Sequence, residues 1–133
     1  MPGPKRSRPP LSESQLEIMQ LVWDGGEVTV TDVWKALAKR RPVARNTVLT
    51  LMERLVRKGW LKRKSEGPTY VYAAAAARAD TLGQVVHRLV DAAFAGSADG
   101  LVSALVEGRG LSVEEVQRIR KLIDNAPSRR NKP

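Results

Sequence analysis

Apolar residues in the first half of the chain recur at helical spacing in three short blocks and then alternate. In the first block, Leu11 precedes the capping box Ser12-x-x-Gln15 and Leu16, Ile18, Met19, Leu21, Val22 and Trp23 follow it, and Asp24-Gly25-Gly26 ends the run, which predicts a helix over 11–23. Glu27-Val28 reads as a short extended link. Thr29-x-x-Asp32 then caps a second helix running through Val33, Trp34, Leu37 and Ala38 to Arg41, where Pro42 stops it. A third helix starts near Ala44 and places Val48, Leu51, Met52, Leu55 and Val56 on one buried face, with Gly59 as its closing glycine. Two β-favouring runs, 60–64 and 69–72, flank Ser65-Glu66-Gly67-Pro68 and predict a hairpin.

Helix, link, helix, turn, helix and hairpin is the order of a winged helix-turn-helix, so the expected fold class is mainly α with a small β-hairpin. Beyond Ala73 the composition shifts to Ala, Leu and Val. Three amphipathic helices are expected there: one capped by Asp80 and ended by Gly96, a short one around 101–106, and a last one opened by Ser112-x-x-Glu115. Helices this short have little mass for a core of their own. Pairing with a second copy through Leu89, Phe94, Leu101, Leu105, Ile119, Leu122 and Ile123 is the expected remedy. The predicted organisation is a disordered basic arm (1–10), a winged-helix domain (11–76), a helical dimerisation domain (77–126) and a disordered basic tail (127–133).

Charge sharpens this picture. The 133 residues carry 23 Lys and Arg against 14 Asp and Glu, a net of +9. Residues 35–64 hold eleven basic residues and one acid, Glu53, whereas residues 80–126 hold five basic and seven acidic residues. A patch this local favours a polyanion, because each neutralised phosphate releases condensed counterions. With no cysteine and His87 as its single histidine, the chain has no expected metal site, disulfide or cofactor. The longest apolar run, Tyr70 to Ala77, is too short for a membrane span. A soluble, cytoplasmic protein is expected, with no membrane partner and no enzymatic centre.

A 100° step around the third helix sets Asn46, Thr50, Glu53 and Arg57 opposite the buried face, with Thr47, Leu49 and Arg54 on its flanks. Asn46, Thr47, Leu49 and Thr50 are the candidates for reading bases: Asn pairs bidentately with adenine, and Thr or Leu meets thymine methyl groups. Arg45, Arg54, Arg57, Lys62, Arg63 and Lys64 are the candidates for phosphate. Lys39, Arg40 and Arg41 either join them or complement the helix dipole. Tyr70 and Tyr72 are expected beneath the wing, and Trp23, Trp34 and Trp60 in the core. On residues alone, a sequence-specific regulator, a sequence-neutral nucleic-acid binder and a winged helix that contacts only protein all remain open.

The segments Leu11-Ser-Glu-Ser-Gln-Leu-Glu-Ile-Met19, Leu21-Val-Trp23, Val28-Thr-Val-Thr-Asp-Val33, Asn46-Thr-Val-Leu-Thr-Leu-Met-Glu-Arg-Leu55, Lys58-Gly-Trp-Leu-Lys-Arg63 and Tyr70-Val-Tyr72 resemble the penicillinase repressor family, the BlaI/MecI/CopY type of bacterial winged-helix transcriptional regulators. The resemblance covers about residues 11–125 and implies a homodimeric repressor on a dyad-symmetric double-stranded DNA operator, controlling β-lactamase or other stress-response genes. In antibiotic-responsive members it further implies an upstream sensor protease and cleavage at an Asn-Phe bond. Here the corresponding stretch is Leu101-Val-Ser-Ala-Leu-Val106, and no Asn-Phe pair exists in the chain. The cysteine cluster of copper-responsive members is missing as well. At the start of the third helix, Ala44 stands where the family often places a Ser or Thr cap.

Overall fold

The computed structural model describes residues 8–127. Most of the expected arm (1–7) and tail (128–133) lies outside the described residues. The chain divides into two compact units, residues 1–85 and 86–133.

In the first unit, helix α1 (Glu13–Gly25) begins in the expected capping box: the Ser12 hydroxyl accepts from the Gln15 amide at 3.1 Å, and the Ser12 amide donates to Gln15 Oε1 at 3.0 Å. Helix α2 (Val30–Ala38) opens the same way, with Thr29 and Asp32 exchanging bonds of 2.9 and 3.1 Å. It stops at Ala38, short of the expected Arg41. The amides of Arg40 and Arg41 both turn back to the Leu37 carbonyl, at 2.9 and 3.1 Å, just ahead of Pro42, which disfavours helix in the residue before it. Helix α3 (Arg45–Arg57) starts at Ala44 without a side-chain cap.

Strand β1 (Glu27–Val28) corrects the expectation of a bare link followed by a hairpin. It pairs antiparallel with β3 (Thr69–Ala74) in the register Glu27 to Ala73 and Val28 to Tyr72, and β3 pairs with β2 (Leu61–Glu66), so the sheet has three strands in the order β1-β3-β2. The β2–β3 turn is Gly67-Pro68. Gly67 at φ +61° followed by a proline matches the sign pattern of a type II′ turn, whose twist suits a hairpin.

The core joins Ile18, Met19 and Val22 of α1, Val33 and Leu37 of α2, Val48, Met52 and Leu55 of α3, and Val28, Leu61 and Tyr72 of the sheet. Each large apolar side chain buried here stabilises the fold by roughly 1.5–3 kcal/mol. Trp60 is buried, but Trp23 and Trp34 sit half-buried at the rim, where each indole N–H finds a carbonyl: Ala76 for Trp23 and Val43 for Trp34, both at 2.9 Å. Of the two tyrosines expected beneath the wing, only Tyr72 is there; Tyr70 is half-exposed.

Gly59 ends α3 at φ +88° and lets the chain swing into β2. An added Cβ at Gly59 would find no atom nearer than the Arg8 side chain at 3.8 Å, so the cost of Gly59→Ala is backbone strain alone. Gly59→Ala is expected to lower stability by about 1–2 kcal/mol, read as a shift of the denaturant midpoint at unchanged slope.

Helix α4 (Arg78–Ala93) begins before Asp80. Its first turns belong to the first unit, which continues past residue 76: Thr81 is buried, with its hydroxyl donating to the Ala77 carbonyl at 2.9 Å. The Arg78 guanidinium stacks 5.6 Å from the Trp23 ring and pairs with Asp24 at the end of α1. The second unit contains the rest of α4, α5 (Ala98–Ala104) with Ser97 as its cap, a π-helical turn (Leu105–Arg109) closed by Gly110, and α6 (Val113–Asn125) opened by the Ser112–Glu115 capping box. Within this unit Phe94 and Leu101 are half-buried, with Phe94 lying over Gly100, whereas Leu89, Leu105, Ile119, Leu122 and Ile123 are exposed. No single helix among the described residues is long and apolar enough to cross a membrane. Among the same residues, no three His, Asp or Glu gather into a metal-binding group.

Candidate nucleic-acid interface

Helix α3 buries Val48, Met52 and Leu55 and turns Arg45, Asn46, Thr47 and Thr50 to solvent. Asn46, Thr47, Thr50, Leu51 and Arg54 line one shallow depression along the outer side of the helix. Three of the four readout candidates thus share a surface near the N-terminus of α3, the end that a recognition helix offers to base edges. Leu49 does not share it fully. It is half-buried and packs against the core, one flank nearer the helix interior than a 100° projection suggests.

The first turn of α3 has no acid, no side-chain cap and an arginine, a combination that leaves the positive end of the helix dipole uncompensated. Arg45 is held sideways, its Nε donating to Thr31 Oγ1 of α2 at 3.0 Å. Arg54 and Arg57, in the last turn, are exposed and form no ion pair among the described residues. Their charge is available to an incoming polyanion.

The run Lys62, Arg63, Lys64, expected to act together on phosphate, is split by the two-residue period of β2. Arg63 is on the side of the sheet that faces α3: its guanidinium lies 4.3 Å from the Tyr70 ring and 3.9 Å from Glu53 of α3. Lys64 is engaged elsewhere, its ammonium 3.2 Å from Glu27 and 3.8 Å from Glu66. The Glu27 contact, more than any other, holds the Lys64 pKa above its ordinary value of 10.5. Lys62 is exposed and shares the Glu27 side, opposite Ala73. A period-two reading of the wing would have separated Arg63 from Lys62 and Lys64, because alternate strand residues face opposite ways.

Arg40 and Arg41 are anchored rather than free. Both reach Glu17 of α1, at 3.0 and 2.9 Å, which braces the end of α2 against α1. The hydrogen bond from Arg41 is the main reason the Glu17 carboxyl sits below its ordinary 4.5. Neither this brace nor the Arg8 contacts to the α3–β2 turn had a local signature. Arg8 Nε donates to the Gly59 carbonyl at 2.9 Å, the Trp60 indole donates to the Pro9 carbonyl at 3.0 Å, and the Arg8 guanidinium lies 5.2 Å from the Trp60 ring. Arg8 and Pro9, expected within a structureless arm, are therefore docked.

Comparison with known proteins fits this geometry. The model of a family described as penicillinase repressor matches residues 11–125. A penicillinase repressor of Bacillus licheniformis is 25% identical over 122 residues, 92% of this chain and 95% of its own length. The methicillin resistance regulatory protein MecI of Mammaliicoccus sciuri is 22% identical over 114 residues, 86% of this chain and 93% of its own. Among solved structures, a MarR variant from E. coli complexed with operator DNA matches 86% of this chain and 74% of its own with a TM-score of 0.53 at 20% identity, a likeness of fold. The match of that family model from Leu11 to Asn125, nearly the whole chain, places this chain in the penicillinase repressor family, a family of DNA-binding transcriptional repressors and not of enzymes.

Proposed function

We propose that the chain represses transcription as a homodimer on a dyad-symmetric operator, with Asn46, Thr47 and Thr50 reading bases and Arg45, Arg54, Arg57, Lys62 and Arg63 meeting phosphates. The observation that carries this reading is the open face of α3, where Asn46, Thr47 and Thr50 stand exposed beside Arg54, and where neither Arg54 nor Arg57 forms an ion pair among the described residues. Lys64, tied to two carboxylates, and Leu49, packed on the core, are secondary contributors. In a dimer paired through Leu89, Phe94, Leu101, Leu105, Ile119, Leu122 and Ile123, two recognition helices enter successive major grooves about one turn, roughly 10 base pairs, apart. Anything that weakens the dimer removes the second half-site and so relieves repression. The names of the relatives point to antibiotic-response genes as the regulated class. Relief by cutting an Asn-Phe bond is not part of the proposal, because the chain has none.

Genome-wide mapping of bound sites tests the proposal and is expected to return an inverted repeat. Repeating the selection with Asn46→Ala is expected to relax preference at one base position in each half-site, at a cost of about 1–3 kcal/mol per readout. Unchanged selectivity at every position would remove Asn46 from the reading face.

A further inference from the structure

We propose that Glu53 is a brake on DNA binding that acts through Arg63: its carboxylate shares the guanidinium that the wing offers to phosphate, and so weakens binding to every duplex whatever its sequence. The inference rests on the reading that α3 and the wing face DNA, and it gives a role to the one acid of the basic segment 35–64.

Strand register places the pair. Arg63 of β2 stands opposite Tyr72 of β3, on the side of the sheet that faces α3, and Tyr70 follows on that same side of β3. The Arg63 guanidinium is held between two groups, 4.3 Å from the Tyr70 ring and 3.9 Å from Glu53 Oε2. Among the described residues this is the one ion pair that joins α3 to the wing. Glu53 comes about one turn after Thr50 and two after Asn46 on the outward side of α3, so its carboxylate stands within the surface proposed to meet DNA.

The pair does little for the fold. Its side chains stay 34% and 45% exposed, and an exposed ion pair at this separation adds little stability. The core of Met52, Leu55, Leu61 and Tyr72 is held by apolar burial instead. For DNA the carboxylate matters more. Arg54 and Arg57 have no carboxylate partner among the described residues, whereas Arg63 meets a phosphate with a negative charge already beside it. A guanidinium so shared gives the phosphate less, and the contact releases less than a full counterion. Because the phosphate backbone is common to all sequences, the loss falls equally on operator and on other DNA.

The test is a cycle of four full-length forms, the parent, Glu53→Gln, Arg63→Gln and the double variant, on a mixed-sequence duplex of about 30 base pairs, three helical turns, titrated from low to high salt. Glu53→Gln is expected to bind more tightly and to steepen the slope of log affinity against log salt by about 1 per protomer, the equivalent of one phosphate contact regained. Arg63→Gln is expected to make the slope shallower, and in its background Glu53→Gln is expected to act less than about half as strongly. An unchanged or shallower slope in Glu53→Gln overturns the inference. An equal gain with and without Arg63 also overturns it, making Glu53 a direct repeller of phosphate. So does a changed preference for the mapped operator over the mixed duplex, which would make Glu53 a reader of cytosine. The slope cycle needs no operator and so stands if sequence specificity fails; an Arg63→Gln form with the parent slope, or a parent chain that binds no duplex, would sink the reading of the wing and this inference together.

Discussion

Reversing Arg54 and Arg57 together (Arg54→Glu, Arg57→Glu) is expected to weaken operator binding by at least about 100-fold while the winged domain remains folded. Both side chains are exposed in the last turn of α3 and have no carboxylate partner among the described residues, so their removal breaks no internal ion pair. Each substitution deletes a counterion-releasing contact and adds a repulsion, twice over in a dimer. The cost to the fold is small: a carboxylate at a helix C-terminus opposes the dipole by about 0.3–1 kcal/mol per residue. Filter binding beside a thermal melt separates the two effects. A variant that melts near the parent temperature yet binds operator as tightly would show that α3 does not face DNA.

The second large effect is expected at Leu122. Its side chain is 71% exposed within the chain and its neighbour Ile123 66%, so Leu122→Asp takes little from the packing of a single copy. If α6 pairs with its counterpart, the substitution removes about 1.5–3 kcal/mol of apolar burial on each side and sets two carboxylates into the interface. The dimer dissociation constant is then expected to rise by on the order of 100-fold to 10,000-fold, and operator affinity to fall with it. Sedimentation equilibrium and an operator titration on the same sample measure both. An unchanged dimer would move the interface away from α6.

What was legible in the residues beforehand was local. The boxes Ser12–Gln15, Thr29–Asp32 and Ser112–Glu115 each join groups three residues apart, and all three open helices in the structure. Gly67-Pro68 likewise marked the hairpin turn, because a positive φ followed by a fixed negative one leaves few other conformations. The features that escaped are held by partners far along the chain. A two-residue strand has no periodicity, so β1 became visible only through its pairing with Ala73 and Tyr72. The Glu17 brace spans 23 and 24 residues to Arg40 and Arg41, and the Arg8 mooring spans 51.

The same division holds within the candidate site. The exposure of Asn46, Thr47 and Thr50 follows from helical geometry about a buried Val48–Met52–Leu55 stripe. Leu49 departs from it because the core extends around that flank. Lys62, Arg63 and Lys64 read as one cluster when counted as charge, but strand alternation sends Arg63 toward Glu53 and Lys64 toward Glu27. Tyr70, one step past the end of the buried stripe on β3, is left at the surface as a platform for Arg63.

Sequence-specific binding by α3 is put to the test by competition at one fixed salt concentration between the operator recovered by genome-wide mapping and a scrambled duplex of equal length. Phosphate contacts contribute equally to both duplexes, so only base readout separates them. A preference of at least about 1,000-fold for the operator is expected, and a preference below roughly tenfold would contradict base readout in favour of a sequence-neutral binder.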